Sequence, residues 1–165
     1  MKMYKVIDAA ICGIMKAAET GKSSEWFVAT DRDGHLWLMF GGFAAVKVPD
    51  KFDVFDLDRL ADLAGKKPFN VDSMLRPDPD EIETGYDAEV LDANGRKLAR
   101  YTEGPYYCYM GQKIHQLAQW LDDGTGGKLP MYYKKGMFRM KDQDGNVIAI
   151  FMGVNGKPGM RGKDE

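Results

Sequence analysis

The chain has 165 residues, of which 44% are hydrophobic and 12% aromatic, and its formal net charge is −2. This length suits one compact domain, and the composition excludes collagen-like and disordered proteins. No run of 18 apolar residues is present, which argues against a membrane span, and the small net charge is no global signature of nucleic-acid binding. Cys12 and Cys108 lie in apolar or aromatic runs, which favours two buried thiols in a cytoplasmic protein.

The first 50 residues predict a strand, a helix and three further strands. Residues 2–6 (KMYKV) are interpreted as a short first strand, after which apolar residues recur at the three- and four-residue spacing of a helix. Gly21 is placed to end that helix. Residues 25–49 (EWFVATDRDGHLWLMFGGFAAVKVP) then predict three strands, separated by a turn at Asp33-Gly34 and a bend at Gly41-Gly42.

The middle of the chain is the least regular region. Residues 56–65 (DLDRLADLAG) predict a short helix with its leucines facing inward. Residues 76–81 (RPDPDE) are too rich in proline and carboxylates for a helix or a strand, and they predict a loop. We therefore expect an acidic, irregular connector between the two halves of the domain.

The second half repeats the order of the first. Residues 86–104 predict a hairpin around Asn94-Gly95, residues 105–110 (PYYCYM) a strand, and residues 111–123 (GQKIHQLAQWLDD) a helix. Residues 129–155 then predict three strands, with turns at Lys135-Gly136 and Asp144-Gly145. The remaining residues, 156–165, have the composition of a flexible tail.

Three stretches share an Asp-x-Asp/Asn-Gly pattern: DRDG at 31–34, DANG at 92–95 and DQDG at 142–145. A calcium loop of the EF-hand type needs a bidentate Glu at its twelfth position. Counting from Asp31 reaches Gly42, and counting from Asp142 reaches Gly153, so neither loop has that ligand. Because Asp-Gly and Asn-Gly supply the positive φ of tight turns, we predict hairpin turns and no metal site.

These elements predict an α+β fold with two β-α-β-β-β-like halves, mainly antiparallel sheets and two or three helices. The halves span about 1–50 and 86–155, within a single domain over residues 1–155. Direct residue identity between the halves is slight, so the repeat is one of architecture.

No enzyme motif is found. His35 and His115 are the only histidines, and with the two cysteines they have no zinc-site spacing. A Cys108–His115 dyad is conceivable, but nothing around either residue predicts an activated thiol. We therefore predict a protein with no catalytic residues, no metal and no cofactor.

The charges are distributed unevenly. Residues 50–92 contain thirteen Asp or Glu against five Lys or Arg, whereas residues 131–163 contain seven Lys or Arg against two Asp. Such asymmetry favours a binding protein with oriented partners, although solvated loops and strand faces explain it equally well.

The β-α-β-β-β unit, present twice, resembles one domain of a DNA sliding clamp of the bacterial polymerase III β-clamp type. The resemblance rests on YYCYMGQKIHQLAQWL followed by LPMYYKKGMFRMKDQDGNVIAIFMGV, and on KMYKVIDAAICGIMKAAE followed by WFVATDRDGHLWLMF. A clamp ring contains six such domains, whereas this chain has the length of one. The resemblance implies a curved sheet used as a scaffold for binding, with lysines on the helices facing DNA phosphates.

Two functions are consistent with these patterns. The first is a non-catalytic clamp-like protein that binds a protein partner of the DNA-processing machinery, or DNA, without involving a membrane. Its predicted contacts are basic: Lys16, Lys113, Lys134, Lys135, Arg139 and Lys141. The second is a phage or mobile-element protein that inhibits a host nuclease by presenting an acidic surface that mimics phosphates. Its predicted contacts are Glu81, Glu83, Asp87 and Glu89.

Overall fold

The computed structural model describes residues 1–52, 59, 62–63, 70–122 and 129–154. These residues form two α-helices and ten strands in antiparallel sheets, so the predicted α+β class is confirmed. The helices are α1 (Met3–Thr20) and α2 (Gln112–Leu121). The strands are β1 (Trp26–Thr30), β2 (Leu36–Phe40), β3 (Ala44–Lys47), β4 (Ile82–Thr84), β5 (Tyr86–Leu91), β6 (Lys97–Glu103), β7 (Tyr106–Gly111), β8 (Met131–Lys134), β9 (Met137–Lys141) and β10 (Val147–Met152).

The larger sheet has seven strands in the order β1-β2-β3-β10-β9-β8-β4, and the smaller has the order β5-β6-β7. The two halves of the chain meet at the centre of the larger sheet, where β3 pairs with β10. The arrangement is therefore consistent with the two predicted halves: α1-β1-β2-β3 in the first and β7-α2-β8-β9-β10 in the second.

The predicted strand at residues 2–6 is wrong, because α1 already begins at Met3. Met3 and Val6 are buried and continue the apolar face formed by Ile7, Ala10 and Ile14. Helical spacing therefore extends upstream of residue 7, and burial of that face against the domain favours the helix. The backbone N–H of Lys2 donates to the carbonyl oxygen of Trp120, which ties the start of α1 to the end of α2.

Both helices pack on the same face of the seven-stranded sheet. Their apolar sides share a hydrophobic core with β2, β3, β6, β7, β9 and β10, centred on Leu38, Phe138 and Phe151. The opposite face of the sheet buries a smaller cluster that includes Trp37 and Ile150 and that is covered by Val71. The polar sides of α1 and α2 consequently face outward, away from the sheet.

The three Asp-x-Asp/Asn-Gly stretches are hairpin turns, as predicted. Gly34, Gly95 and Gly145 have φ values of 83°, 77° and 84°. The first Asp of each turn accepts two backbone N–H groups at Oδ1, two and four residues ahead. The turns do not mark matching places in the two halves: the first joins β1 to β2, whereas the last joins β9 to β10.

The connector contains short 3₁₀ turns at Asp50–Phe52 and Val71–Met74, and residues 76–81 form a loop as predicted. The strand β4 after this loop was not predicted. Of the helix predicted at 56–65, Arg59, Asp62 and Leu63 are helical, and its other residues lie outside the described part of the chain, as do those of the predicted tail. Among the described residues, no helix combines the length and apolar character needed to cross a membrane.

Candidate functional site

Half of the predicted basic contacts are paired with acidic residues of the same chain. Lys134 Nζ lies 2.8 Å from Asp78 Oδ1 and 3.4 Å from Asp80 Oδ2. The hydrogen bond between them lowers the pKa of Asp78 and raises that of Lys134. Two residues on β9 have the same kind of partner: Arg139 and Lys141 both contact Glu81.

The basic cluster of β8 and β9 and the acidic loop before β4 therefore lie side by side. The antiparallel pairing of β4 with β8 brings them together, since it places Ile82 opposite Tyr133. Sequence analysis treated these charges as two separate surfaces, but they neutralise each other in large part. Their role in partner binding remains a prediction.

The other three predicted basic residues are exposed. Lys16 is on α1, Lys113 is on α2, and Lys135 is in the turn between β8 and β9 with a φ of 46°. Among the described residues, none of the three forms an ion pair. Lys16 and Lys113 lie on the two helices that pack on the same face of the sheet, whereas Lys135 is on a strand connection.

Most of the predicted acidic contacts are paired as well. Asp87 lies 2.6 Å from Arg100 Nη2, Glu89 lies 3.6 Å from Lys97 Nζ, and Glu81 binds Arg139 and Lys141. Glu83 is exposed on β4 and has no ion pair with a described residue. The paired acidic residues thus lie on β5 and in the loop before β4.

Asp31, Asp33 and His35 bring three potential metal ligands within 4.8 Å of one another. Asp31, however, already has a donor on each oxygen. Its Oδ1 accepts from the backbone of Asp33 and His35, and its Oδ2 accepts from Trp37 Nε1 at 3.0 Å and lies 3.2 Å from His35 Nδ1. A fully hydrogen-bonded carboxylate at the base of a turn serves the turn, which agrees with the prediction from the missing twelfth-position Glu.

Cys108 is not arranged as a nucleophile. Its thiol donates to the backbone carbonyl of Tyr101 at 3.8 Å, and burial raises the pKa of the thiol to about 12. His115 instead has a different partner: its Nδ1 lies 2.8 Å from the hydroxyl of Tyr101. An activated cysteine needs a lowered pKa and a nearby base, so this environment is the reverse of a catalytic one.

The Tyr101–His115 pair lies beside a cavity of about 190 Å³. Strand β6 supplies Tyr101, and α2 supplies His115 on its buried face. The ring of Tyr86 stacks on the imidazole with centroids 4.7 Å apart. Among the described residues, His115 Nε2 is the one buried side-chain polar atom without a hydrogen-bond partner.

Sequence analysis missed this cavity. His115 was noted as a lone helix residue, and Tyr86 and Tyr101 belonged to a predicted hairpin. The signal that could have located the pair is the apolar spacing of α2, which places His115 next to Ile114 and between the buried positions of the helix.

Comparison with known proteins gave no match to a protein-family model, a curated protein or a solved structure. The fold defines this chain as an α+β domain.

Proposed function

We propose that this chain is a non-catalytic clamp-like protein that acts on DNA or on the machinery that processes it. Its binding surface is the outward side of α1 and α2. We call this surface the helix face and define it by the exposed residues Lys16, Lys113, Gln112, Gln116 and Gln119.

The distribution of ion pairs supports this choice. Lys134, Arg139 and Lys141 are engaged by Asp78, Asp80 and Glu81, so a partner must first separate these charges. Lys16 and Lys113 have no ion pair with any described residue. A lysine that is not paired within the protein can neutralise a phosphate and release its counterion, which is the main source of non-specific DNA affinity.

The chemistry of the helix face is that of phosphate contact. Lysine ammonium and glutamine amide groups both donate to phosphate oxygens, which position a protein on a duplex without reading its sequence. The number of cations is small, so we expect weak, salt-dependent binding with a Kd of about 10⁻⁴ to 10⁻⁶ M. A non-catalytic role is supported by Cys108, whose thiol pKa is raised to about 12.

The experiment is fluorescence anisotropy of a labelled 30-base-pair duplex, titrated at several salt concentrations. The variant Lys16→Gln/Lys113→Gln removes two charges from the helix face. The control Lys97→Gln/Lys135→Gln removes two exposed charges away from the helix face: Lys97 on β6, which is paired with Glu89, and Lys135 in the β8–β9 turn, which has no ion pair with a described residue. We expect the helix-face variant to reduce the slope of log K against log salt by about 2, and the control to leave it unchanged.

Equal effects of the two variants would overturn the helix face as the contact surface. If the wild-type protein does not bind the duplex at about 50 mM salt, direct action on DNA is overturned. Action on the machinery is then supported if the wild-type protein retains a DNA-processing protein and the helix-face variant does not. Absence of both activities would sink the proposal.

The inhibitor hypothesis has weaker support. Phosphate mimicry requires carboxylates that are accessible to a partner, and Glu81, Asp87 and Glu89 are each paired with a cation of this chain. Glu83 is the acidic residue of that set with no ion pair among the described residues.

A further inference from the structure

The cavity beside His115 has the size and lining of a small-ligand site. It lies between α2, the start of β5 and the strands β6, β8 and β9, and its volume is about 190 Å³. An apolar cavity of about 150 Å³ is large enough to bind benzene. One side of the lining is apolar or aromatic, with Tyr86, Tyr101, Ala118, Leu129, Met131 and Met140, and the rest includes the polar residues Thr84, Gln119 and Asp122. Methionine sulfur and aromatic rings are favourable neighbours of a bound ring.

His115 provides one polar group in this lining. If Tyr101 donates its hydroxyl proton to Nδ1, the neutral imidazole carries its own proton on Nε2. The other tautomer would leave two groups without partners, the Tyr101 hydroxyl proton and the Nε2 lone pair. The tautomer with its proton on Nε2 leaves a single group without a partner, the Nε2–H, and is therefore favoured. Burial lowers the pKa of His115, although the charge of Glu89 opposes this shift. The lowered pKa keeps the ring neutral near pH 7.

Access to Nε2 requires neighbouring side chains to move, because the atom has less than 1 Å² of accessible surface. Tyr86 is suited to this movement. Its ring stacks on the imidazole, yet the residue is 46% exposed, so it can rotate toward solvent at modest cost. A buried N–H without a partner gains a hydrogen bond when an acceptor replaces that contact.

We propose that this cavity binds a single-ring aromatic compound carrying one hydrogen-bond acceptor, which accepts from His115 Nε2. The ring lies among Tyr101, Met131 and Met140, and Tyr86 rotates to admit it. The cavity shares Gln119 with the helix face. Its test reads ring binding at His115 Nε2 and the test of the proposed function reads duplex binding, so either can fail alone.

The first test compares pyridine with benzene, two rings of nearly the same shape that differ in the acceptor nitrogen. The chain contains two histidines, so the imidazole ¹⁵N spectrum of the full-length protein contains signals from His115 and His35 alone. At about pH 8, where pyridine is neutral, we expect pyridine to shift the Nε2 signal of His115 and to leave His35 unchanged. Benzene is expected to leave Nε2 at its original position.

The second test is affinity. One additional hydrogen bond to a buried donor predicts that pyridine binds about tenfold more tightly than benzene. The variant Tyr101→Phe lacks the hydroxyl that fixes the tautomer of His115. Its preference for pyridine over benzene is expected to fall below about threefold. Tyr107→Phe is the matched control, since it removes a hydroxyl from the neighbouring strand outside the cavity lining. It should retain the tenfold preference.

Three outcomes would overturn the proposal. If neither ring shifts His115, the cavity is not a ligand site. If both rings bind equally, the cavity is apolar and the donor is not used. If His35 shifts together with His115, the interaction is non-specific. The wild-type spectrum decides the first and third outcomes without any variant having to fold.

Discussion

Arg139 donates from Nη1 to Glu81 Oε2 at 3.3 Å, and both side chains are nearly buried, with 11% and 8% of their surface exposed. The same arginine donates from Nε to the carbonyl oxygen of Met74 at 3.0 Å. One guanidinium therefore connects β9 to both ends of the loop that precedes β4. The pair positions the acidic loop against the sheet.

Breaking this pair from one side should be costly. Glu81→Gln removes the counter-charge of Arg139 and Lys141, and a buried ion left without its partner costs about 3 kcal/mol or more. Urea unfolding followed by circular dichroism measures the loss. Glu83→Gln is the control, because it makes the same change two residues away at an exposed position, where a change within about 0.5 kcal/mol is expected. Equal losses of stability in Glu81→Gln and Glu83→Gln would show that the buried pair contributes no more than an exposed carboxylate.

The three hairpin turns should differ in their contribution to stability. Asp31→Ala, Asp92→Ala and Asp142→Ala each remove an oxygen that accepts two backbone N–H groups. Asp31 also accepts from Trp37 Nε1, which is buried and would be left unpaired. We expect a loss of about 1 kcal/mol for Asp92→Ala and for Asp142→Ala, and about 3 kcal/mol for Asp31→Ala. Losses of the same size in all three variants would contradict the role of Trp37.

Gly13→Ala should destabilise the protein although it improves helix propensity. Alanine in a helix interior is worth about 1 kcal/mol over glycine. The added Cβ, however, would lie 2.6 Å from Cδ1 of Trp26, and overpacking of that kind costs about 1 to 3 kcal/mol. In a Trp26→Ala background the atoms that crowd the Cβ are absent, so the same substitution should be neutral or stabilising. The double-mutant cycle is measured by chemical denaturation.

The two cysteines should react at very different rates. The prediction of two buried thiols is wrong for Cys12, which is exposed on α1, whereas Cys108 is buried and its thiol pKa is raised to about 12. Iodoacetamide at neutral pH, followed by peptide mass spectrometry, should modify Cys12 at least tenfold faster, because the thiolate is the reactive form. Faster alkylation of Cys108 would restore the nucleophile hypothesis.

Burial of neutral His115 should make the protein less stable in mild acid. Burial lowers the pKa of His115 below the value of about 6.5 for the unfolded chain, so the unfolded state binds more protons as the pH falls. The free energy of unfolding should therefore decrease from about pH 7 toward pH 5. In His115→Leu this part of the slope should disappear. Tyr101, Tyr86 and Asp122 line the cavity beside this ring, and the charge of Glu89 acts on it and raises its pKa against the effect of burial. Parallel profiles of the free energy of unfolding against pH in the wild-type protein and in His115→Leu would contradict the assignment of this slope to His115.

Local patterns were sufficient to predict most of the strands and turns. Asp-Gly and Asn-Gly pairs encode positive φ directly, and Gly34, Gly95 and Gly145 adopt it. Runs of aromatic and other apolar residues bounded by these turns predicted most of the strands. The start of α1 was predicted incorrectly because Met3 is compatible with either a strand or a helix, and the contact of Lys2 with Trp120 that fixes the choice is distant in sequence.

The candidate site depended on pairing that no local pattern contains. Lys134 and Asp78 are 2.8 Å apart because β4 joins the edge of the sheet beside β8, and β4 is only three residues long. The cavity at His115 likewise requires α2, β5 and β6 to converge. Charge counts along the chain therefore indicated two surfaces where the fold forms a set of ion pairs.

The central pairing of β3 with β10 also constrains how the chain is made. Val46 lies opposite Ala149, so the two partners are separated by about a hundred residues of synthesis. At about 5 to 20 residues per second, a ribosome exposes β3 for about 5 to 20 s before β10 emerges. During this interval the edge formed by Ala44, Ala45 and Val46 has no strand to cover it. Until β10 emerges, this edge of a newly made chain is open to pairing with strands of other chains.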